Sequence, residues 1–584
     1  MRPASFLKPY LLEKRFSIAL GLFSLIVVDL LQLFIPRVIK RTVDDLAALK
    51  ATHLDLFYYA LSIALIAAFI GIFRYVWRRC LLGMSRRVEE GLRNQLLKHI
   101  QILTPAYFDS VKSGDLMARA TNDIQQIRMA TGMGLVALND ALVMGTASIG
   151  FMLYINIELT LIVLIPMPFL VLSARIFTRK MHRHYKLVQS AFADMTEVVR
   201  ERFSGMRIIK AYTREANEKA QVHRASEEYV GKNMDLVKIV GSFFPLMILL
   251  TNMSLVLVLF LGGRMTIETV ITPGDFVAFI SYLGMLTWPM MAMGWVINLI
   301  QQGRASLDRI HHILTTQPEL EVREDLASPS EAPTPATLFK LANVSFTYNS
   351  NSQPALKNIN LEVETGSTIG LVGPPGSGKT TLLRLLPRLY DPTAGKIFYQ
   401  GLDLRSFPLD ELRSNFAYMP QKPFLFAGSI KENITLGRED FSDKELQRVI
   451  QQAALEETVQ DLEKGLETLV GERGVILSGG QKQRITLART LLYNAPVLLL
   501  DDPISQVDTQ TGQKIIQTIQ ETAAHKTVFI VSHRLAALRF AQHILTFKQG
   551  IITESGSHEE LAAQDSYYGH TLRLQELEEE LNAY

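Results

Sequence analysis

The chain has a single cysteine, Cys80, in 584 residues. No intrachain disulfide can form, and a cytosol-facing location suits it. Charge is also scarce. Asp, Glu, Lys and Arg make up 20% of the residues, and 60 basic side chains nearly balance 57 acidic ones, for a net charge of +3. Nothing in that balance points to nucleic acid as a partner. A removable leader is not expected either. The N-terminus MRPASFLKPYLLEKRFSIALGL is basic and then apolar, but it lacks a small-residue cleavage site. The apolar run continues to about the 20 residues of a membrane span, so it reads as a retained first helix.

What the chain has in quantity is apolar sequence: 48% hydrophobic residues and a mean hydropathy of +0.15. It is too long for one core. Six apolar segments occupy approximately 16–36, 56–79, 132–156, 158–178, 240–263 and 273–300, each near the roughly 20 residues that cross a bilayer. Segments three and four are separated only by a turn around Asn156 and Glu158, which makes a tight helical hairpin. The links after segments two and four are long, polar and helix-prone. They carry RRVEEGLRNQLLKH and TRKMHRHYKLVQ, and the N-terminus adds Lys8, Lys14 and Arg15. The positive-inside bias puts both termini and both long links in the cytoplasm. Arg37, Lys40 and Arg41 fall on the outer side against that bias, with Asp44 and Asp45 offsetting them in net charge.

Charges facing lipid are costly, so Asp29, Arg74, Asn139, Asp140 and Asn252 within the spans are candidate cavity groups. They serve equally well as hydrogen bonds between helices. The Met- and aromatic-rich LGMLTWPMMAMGWVI on the sixth segment could line an adaptable apolar cavity or face lipid.

The predicted organisation is a transmembrane domain over 1–317 and a Pro-, Ser- and Glu-rich linker over 318–338, PELEVREDLASPSEAPTPATL. A second domain follows over 339–584. There, short strand-like runs alternate with helical ones (TIGLVG, VLLLDD and TVFIVS, each before a helix), which predicts a parallel sheet covered by helices. The final LRLQELEEELNAY reads as a solvated acidic helix.

GPPGSGKT, Gly373–Thr380, is the P-loop pattern in its proper setting, after the strand-like TIGLV and before TLLRLLPRL. Glycines let the backbone wrap phosphate oxygens, and amide N–H groups at the helix start face the anion. Lys379 would reach the β/γ-phosphates, and the Thr380 hydroxyl would bind Mg²⁺. Downstream, VLLLD ends in Asp501, the strand-tip acid expected to hold the Mg²⁺ shell.

LSGGQKQR, Leu477–Arg484, narrows the family. The chain resembles the ATP-binding cassette (ABC) exporters, in which a six-helix, all-α transmembrane domain is fused to one α/β P-loop nucleotide-binding domain. The resemblance covers nearly the whole chain. It implies that Tyr348 of VSFTY stacks on adenine and that Gln421 of YMPQKPFLF senses Mg²⁺ and couples to the membrane domain. It implies that Gly373, Pro374, Pro375, Gly376, Ser377, Gly378, Lys379, Thr380 and Thr381 hold ATP, with Thr380, Gln421 and Asp501 around Mg²⁺. Ser478, Gly479, Gly480 and Gln481 match the signature that binds the γ-phosphate of ATP held by the opposite domain. Asp508 of SQVD matches the loop at the dimer interface, and His533 of VSHRL the switch histidine. GERG, Gly471–Gly474, matches a loop touching the intracellular helices. FDSVKSGDLMARATNDI and RERFSGMRIIKAYTRE resemble the two coupling segments that dock on nucleotide domains.

One position departs from the pattern. LLLDDPISQVD carries Asp502 where the family normally has the glutamate that polarises the attacking water. Aspartate is shorter by roughly 1.3–1.5 Å of reach, and a misplacement of about 1 Å can cost on the order of 10²-fold. The chain's own site is therefore expected to bind Mg-ATP well and to hydrolyse it slowly, unless backbone movement restores the distance. Pro503, Ile504, Gln506 and Val507 also depart from the usual small residues. The resemblance then implies a heterodimer, as in bacterial heterodimeric multidrug exporters. The partner supplies a Glu, and this chain supplies Ser478–Gln481 opposite it. The expected cargo is amphipathic drugs or lipids, moved across the bacterial inner membrane. A homodimeric lipid flippase and a regulatory ATP-binding subunit are the alternatives.

Overall fold

The computed structural model describes residues 3–318, 320, 336–348, 353–471 and 477–583. It forms two compact units, Met1–Gln101 with Ser113–Thr316, and Ile102–Lys112 with Gln317–Tyr584. Most of the linker expected at 318–338 lies outside the described residues, as do Glu472, Arg473 and Gly474 of the GERG loop.

The first unit is helical. Among the described residues, five helices are long and apolar enough to cross a membrane: Arg15–Ala47, His53–Ile102, Ser113–Ile155, Ile157–Ser204 and Glu215–Ile267. A sixth long helix, Pro273–Thr315, carries the expected segment 273–300. Asn156 makes the hairpin between the third and fourth. It is extended, at φ −159°, and its side chain accepts from the Leu159 amide, which ends one helix and caps the next. The helices pack around Leu33, Met152, Leu159, Leu170, Phe279 and Leu286, all nearly shielded from solvent. Tyr282 stacks on Phe151 at 5.3 Å and donates to the Leu33 carbonyl at 3.0 Å. Outward positions such as Leu61, Leu65, Phe69 and Ile72 stand exposed, as a lipid-facing surface requires.

Two members of the basic cluster that runs against the positive-inside bias, Arg37 and Lys40, find local partners. Arg37 lies over the Phe151 and Tyr154 rings at 5.2 and 5.1 Å, and Lys40 pairs with Asp275. Asp44 accepts from the Gly274 amide at 2.7 Å and the Thr272 hydroxyl at 3.0 Å, so it caps the start of Pro273–Thr315. These contacts tie the first helix to the sixth.

The second unit contains β1 (Thr337–Phe346), β2 (Leu356–Glu364), β3 (Thr368–Val372), β4 (Ala394–Tyr399), β5 (Leu402–Asp403), β6 (Phe416–Met419), β7 (Gly428–Ser429), β8 (Leu469–Val470), β9 (Val497–Asp501), β10 (Thr527–Val531), β11 (His543–Lys548) and β12 (Ile551–Gly556). The expected parallel sheet is present in the order β12-β11-β3-β10-β9-β6, all neighbours parallel except the edge pair β11–β12. A separate antiparallel sheet, β2-β1-β4-β5, was not foreseen. Its strands face the parallel sheet through Phe339, Leu341, Leu371, Leu499, Phe529 and Phe547. The opposite face of the parallel sheet buries Leu498, Leu500, Ile530 and Ile544 against helices. With both faces covered, β9 and β10 must be apolar without alternation, and burial of each such side chain stabilises by about 1.5–3 kcal/mol.

The C-terminal helix, Tyr567–Ala583, differs from the solvated tail expected of it. Tyr568 and Leu572 are buried in the core, while Leu574, Leu577 and Leu581 are exposed. The helix Pro105–Ser110, from the first coupling segment, belongs to this unit, and Asp109 accepts from the Tyr390 hydroxyl at 2.7 Å.

Candidate functional site

The P-loop joins β3 to the short helix Lys379–Leu385 at the end of the parallel sheet where β9 and β10 also finish. Gly373 has φ +143° and Gly378 φ +110°. A β-carbon would sit 2.2 Å from the Phe547 carbonyl oxygen at Gly373 and 2.7 Å from that of Ala355 at Gly378, so no larger residue fits either place. Lys379 is 6% exposed and donates to the carbonyls of Gly373 (2.7 Å) and Pro374 (3.0 Å) and to the Ser377 hydroxyl (3.3 Å). Its ammonium is therefore held inside the loop. Burial pulls it below its ordinary range, against the opposing charges of Asp501 and Asp502.

A cavity of about 510 Å³ opens beside the loop. Its wall brings together Tyr348, Pro375, Gly376, Ser377, Gly378, Lys379, Thr380, Thr381, Gln421, Asp501 and His533, which are spread over almost 190 positions of sequence. Tyr348 is fixed edge-on to Phe346 at 4.8 Å and to Tyr390 at 5.5 Å, and its hydroxyl meets Thr381 Oγ1 at 3.2 Å. Asp501 is fully buried at the tip of β9, and neither carboxylate oxygen closes a hydrogen bond of normal geometry. Burial raises its carboxyl, as does the Asp502 charge, while Thr380, Arg384 and Lys379 act in the opposite direction.

Gly373, Pro374 and Asp502 do not line the cavity, nor do Ser478, Gly479, Gly480, Gln481 and Asp508. Ser478 caps the helix Gly479–Leu492. Its hydroxyl accepts from the Gln481 amide at 3.2 Å, and Gln481 Oε1 accepts from the Ser478 amide at 2.8 Å. Asp508 caps Thr509–Ala523 by accepting from the Thr511 amide at 2.9 Å.

Asp502 is 5% exposed, with φ +60°. Its amide donates to the Val531 carbonyl at 2.9 Å, and its own carbonyl accepts from Gln483 Nε2 at 2.6 Å and from the Ser505 hydroxyl at 3.3 Å. Gln483 Oε1 also accepts from the Gln506 amide at 2.8 Å. The turn after β9 is thus pinned on both sides. Burial raises the Asp502 carboxyl, and the nearby His533 and Arg534 partly oppose that shift.

Two side chains at this site escape a reading of motifs. Gln483 lies inside LSGGQKQR but acts on the turn at Asp502 rather than through the signature itself. Gln575, on the C-terminal helix, donates to the His533 carbonyl at 2.6 Å and accepts from the Leu535 amide at 2.9 Å, which fixes the loop that carries the histidine. A lone glutamine in an acidic helix gives no sequence signal for that role.

Comparison with known proteins agrees with this architecture. Residues 18–290 match the ABC transporter transmembrane region, and residues 356–505 match the ABC transporter family. The chain is 37% identical over 573 residues to a probable multidrug resistance ABC transporter ATP-binding/permease protein, YheI, of Bacillus subtilis, covering 98% of this chain and 97% of that protein. It is 35% identical over 561 residues to the multidrug resistance-like ATP-binding protein MdlA of Escherichia coli, covering 96% and 94%. An ATP-dependent lipid A-core flippase of Syntrophus aciditrophicus is 30% identical over 561 residues, covering 96% and 92%. Among solved structures, a bacterial Atm1-family ABC exporter with ATP bound superposes with a TM-score of 0.74 at 25% identity, covering 97% of this chain and 99% of that one. A helical transmembrane region fused to a P-loop domain of mixed sheets, matched end to end in this way, places the chain in the ABC transporter family as an exporter that couples ATP hydrolysis to transport.

Proposed function

We propose that this chain is the slow-site half of a heterodimeric exporter that moves amphipathic molecules out of the cytoplasm or the inner leaflet of a bacterial inner membrane. Both termini and the ATP-binding domain face the cytoplasm, as the basic links require. The observation that carries the reading is Asp502, a shortened acid on a turn that has no freedom to advance. Its amide and carbonyl are both engaged, with Val531 and Gln483. Backbone movement that would restore the reach of a glutamate breaks at least one of these bonds, and a buried unsatisfied group costs about 1–3 kcal/mol.

The placement of the other residues supports their proposed roles. Tyr348 presents a ring for adenine, and the P-loop amides and Lys379 hold the phosphates. The buried carboxylate of Asp501, with acceptor capacity unmet inside the protein, the Thr380 hydroxyl and Gln421 form an all-oxygen donor set that suits Mg²⁺. Bound there, the ion would neutralise phosphate charge. Ser478–Gln481 cap their own helix at an exposed surface, open to a nucleotide on a second chain. Phe203, Ile208 and Tyr212, at the short helix Met206–Ala211, expose an apolar tip that a partner's nucleotide domain can cover. The names of the multidrug and flippase relatives support amphipathic cargo.

The test is ATPase activity of the purified chain, alone and with each ABC half-transporter encoded beside it. Near-zero turnover alone and robust turnover with one partner is the expected result. Comparable turnover alone would sink the asymmetric pair.

A further inference from the structure

Gln506 stands where the exporters usually carry a small residue, and the chain's own ATP site gives its side chain no role. The turn that holds it is rigid. Ile504 and Val507, on either side, are 1% and 6% exposed. The Gln506 amide donates to Gln483 Oε1 at 2.8 Å, and the Val507 carbonyl accepts from Arg534 Nη2 at 3.3 Å. The root of the side chain is therefore fixed while the residue itself stands exposed. Among the described residues, its carboxamide closes no hydrogen bond.

That carboxamide lies over the signature. A β-carbon at Gly479 would overlap Gln506 Oε1, and one at Gly480 would sit 2.6 Å from the Gln506 carbonyl oxygen. Glycine lets the two segments approach this closely. Ser478 and Gly479 are exposed and Gly480 is half-buried, so Gln506 shares their open face. Ser478 and Gln481 spend hydrogen bonds on each other at the helix start. Gln506 has both N–H donors unspent, and a donor facing a phosphate makes one of the stronger hydrogen bonds available to a neutral side chain.

We propose that Gln506 is a further substrate-binding residue, its carboxamide donating a hydrogen bond to the terminal phosphate of the ATP held by the opposite chain. The inference rests on the reading that Ser478–Gln481 face that nucleotide. It does not require the two chains to differ, so it is independent of the slow site at Asp502. A side chain that merely packs over Gly479 would need only its shape. One that binds phosphate needs its donors, and glutamate has the shape without them.

The experiment uses the full-length chain in lipid nanodiscs, in whichever assembly turns over ATP, with itself or with a neighbouring ABC half-transporter. Steady-state turnover is measured beside equilibrium binding of AMP-PNP, which keeps a terminal phosphate, and of ADP, which lacks it. Gln506→Ala should lower turnover about tenfold, the loss expected for one hydrogen bond to a charged group. Gln506→Glu should lower it further, because a carboxylate then faces the phosphate. Both variants should weaken AMP-PNP several-fold and leave ADP within about twofold. The substitutions leave the Gln506 backbone amide and its bond to Gln483 in place, so the turn at Asp502 is not disturbed. Ser478→Asp, which keeps a capping side chain and sets a charge against the phosphate, tests the underlying reading. If Ser478→Asp turns over normally, the signature does not face a nucleotide and the proposal falls with it. If Ser478→Asp is inactive while Gln506→Glu matches the unsubstituted protein or exceeds Gln506→Ala, the proposal alone is overturned. Equal weakening of ADP and AMP-PNP overturns it as well.

Discussion

Asp502 combines a short acid with a left-handed backbone, φ +60°. Aspartate and asparagine tolerate that conformation better than longer side chains do, because their polar tips bond locally. The substitution that shortens the catalytic reach therefore also relieves the turn. Asp502→Glu should increase ATP turnover by the assembled pair, and should lower folding stability by roughly 0.5 kcal/mol through backbone strain. Steady-state ATPase and thermal unfolding of the same preparation check both halves of this trade. Asp502→Asn keeps the backbone preference and removes the charge, so turnover of the pair should be nearly unchanged. A large fall would show that the shorter carboxylate already serves as a base. At this scale the P-loop, Asp501 and Asp502 were legible because their spacing is local. Gln483 and Gln575 were not, since each acts through space on a backbone group far away in sequence.

Among the elements, the long helices of the transmembrane unit are joined by polar links, one of them at Asp123. The residue is 8% exposed, and its carboxylate accepts from the Ser306 hydroxyl at 2.9 Å and from Arg309 Nε at 2.8 Å. It thereby ties the π-helical turn Arg119–Asp123 to the helix Pro273–Thr315. Arg309→Ala leaves the carboxylate with only Ser306 and should cost about 1.5–3 kcal/mol, the range for a charged hydrogen bond. Arg309→Lys should recover only part, because an ammonium cannot reproduce the fork. A lower unfolding midpoint for the alanine variant is the expected reading, and an unchanged midpoint would mean that water takes over the acid. The spans and the strands β3, β9 and β10 could be read from run length alone, because full burial removes alternation. The antiparallel sheet could not. Register shifts in β1, at Leu341/Val344 and Val344/Phe346, break the period of two that would have announced a strand.

At the scale of the whole molecule, the motif order and the six apolar runs were sufficient to reach the exporter architecture, since both are linear properties of the chain. The proposed pairing of two unlike chains is not linear, and one substituted acid is the main argument for it. The proposed arrangement has a consequence that ATPase rates alone do not probe. Hydrolysis is what reopens a closed nucleotide site, so a site that binds ATP but turns it over slowly should keep its nucleotide across many cycles of its neighbour. When the assembled pair is incubated with Mg-ATP and free nucleotide is quickly removed, close to one intact ATP per pair should remain bound, and this chain's P-loop should hold it. Photo-crosslinking with an azido-ATP analogue would assign the label to the chain. Asp502→Glu should shorten the retention to the time of one turnover. Retention of two ATP per pair, or of none, would mean that the sites do not differ in the way the short acid and its pinned turn require.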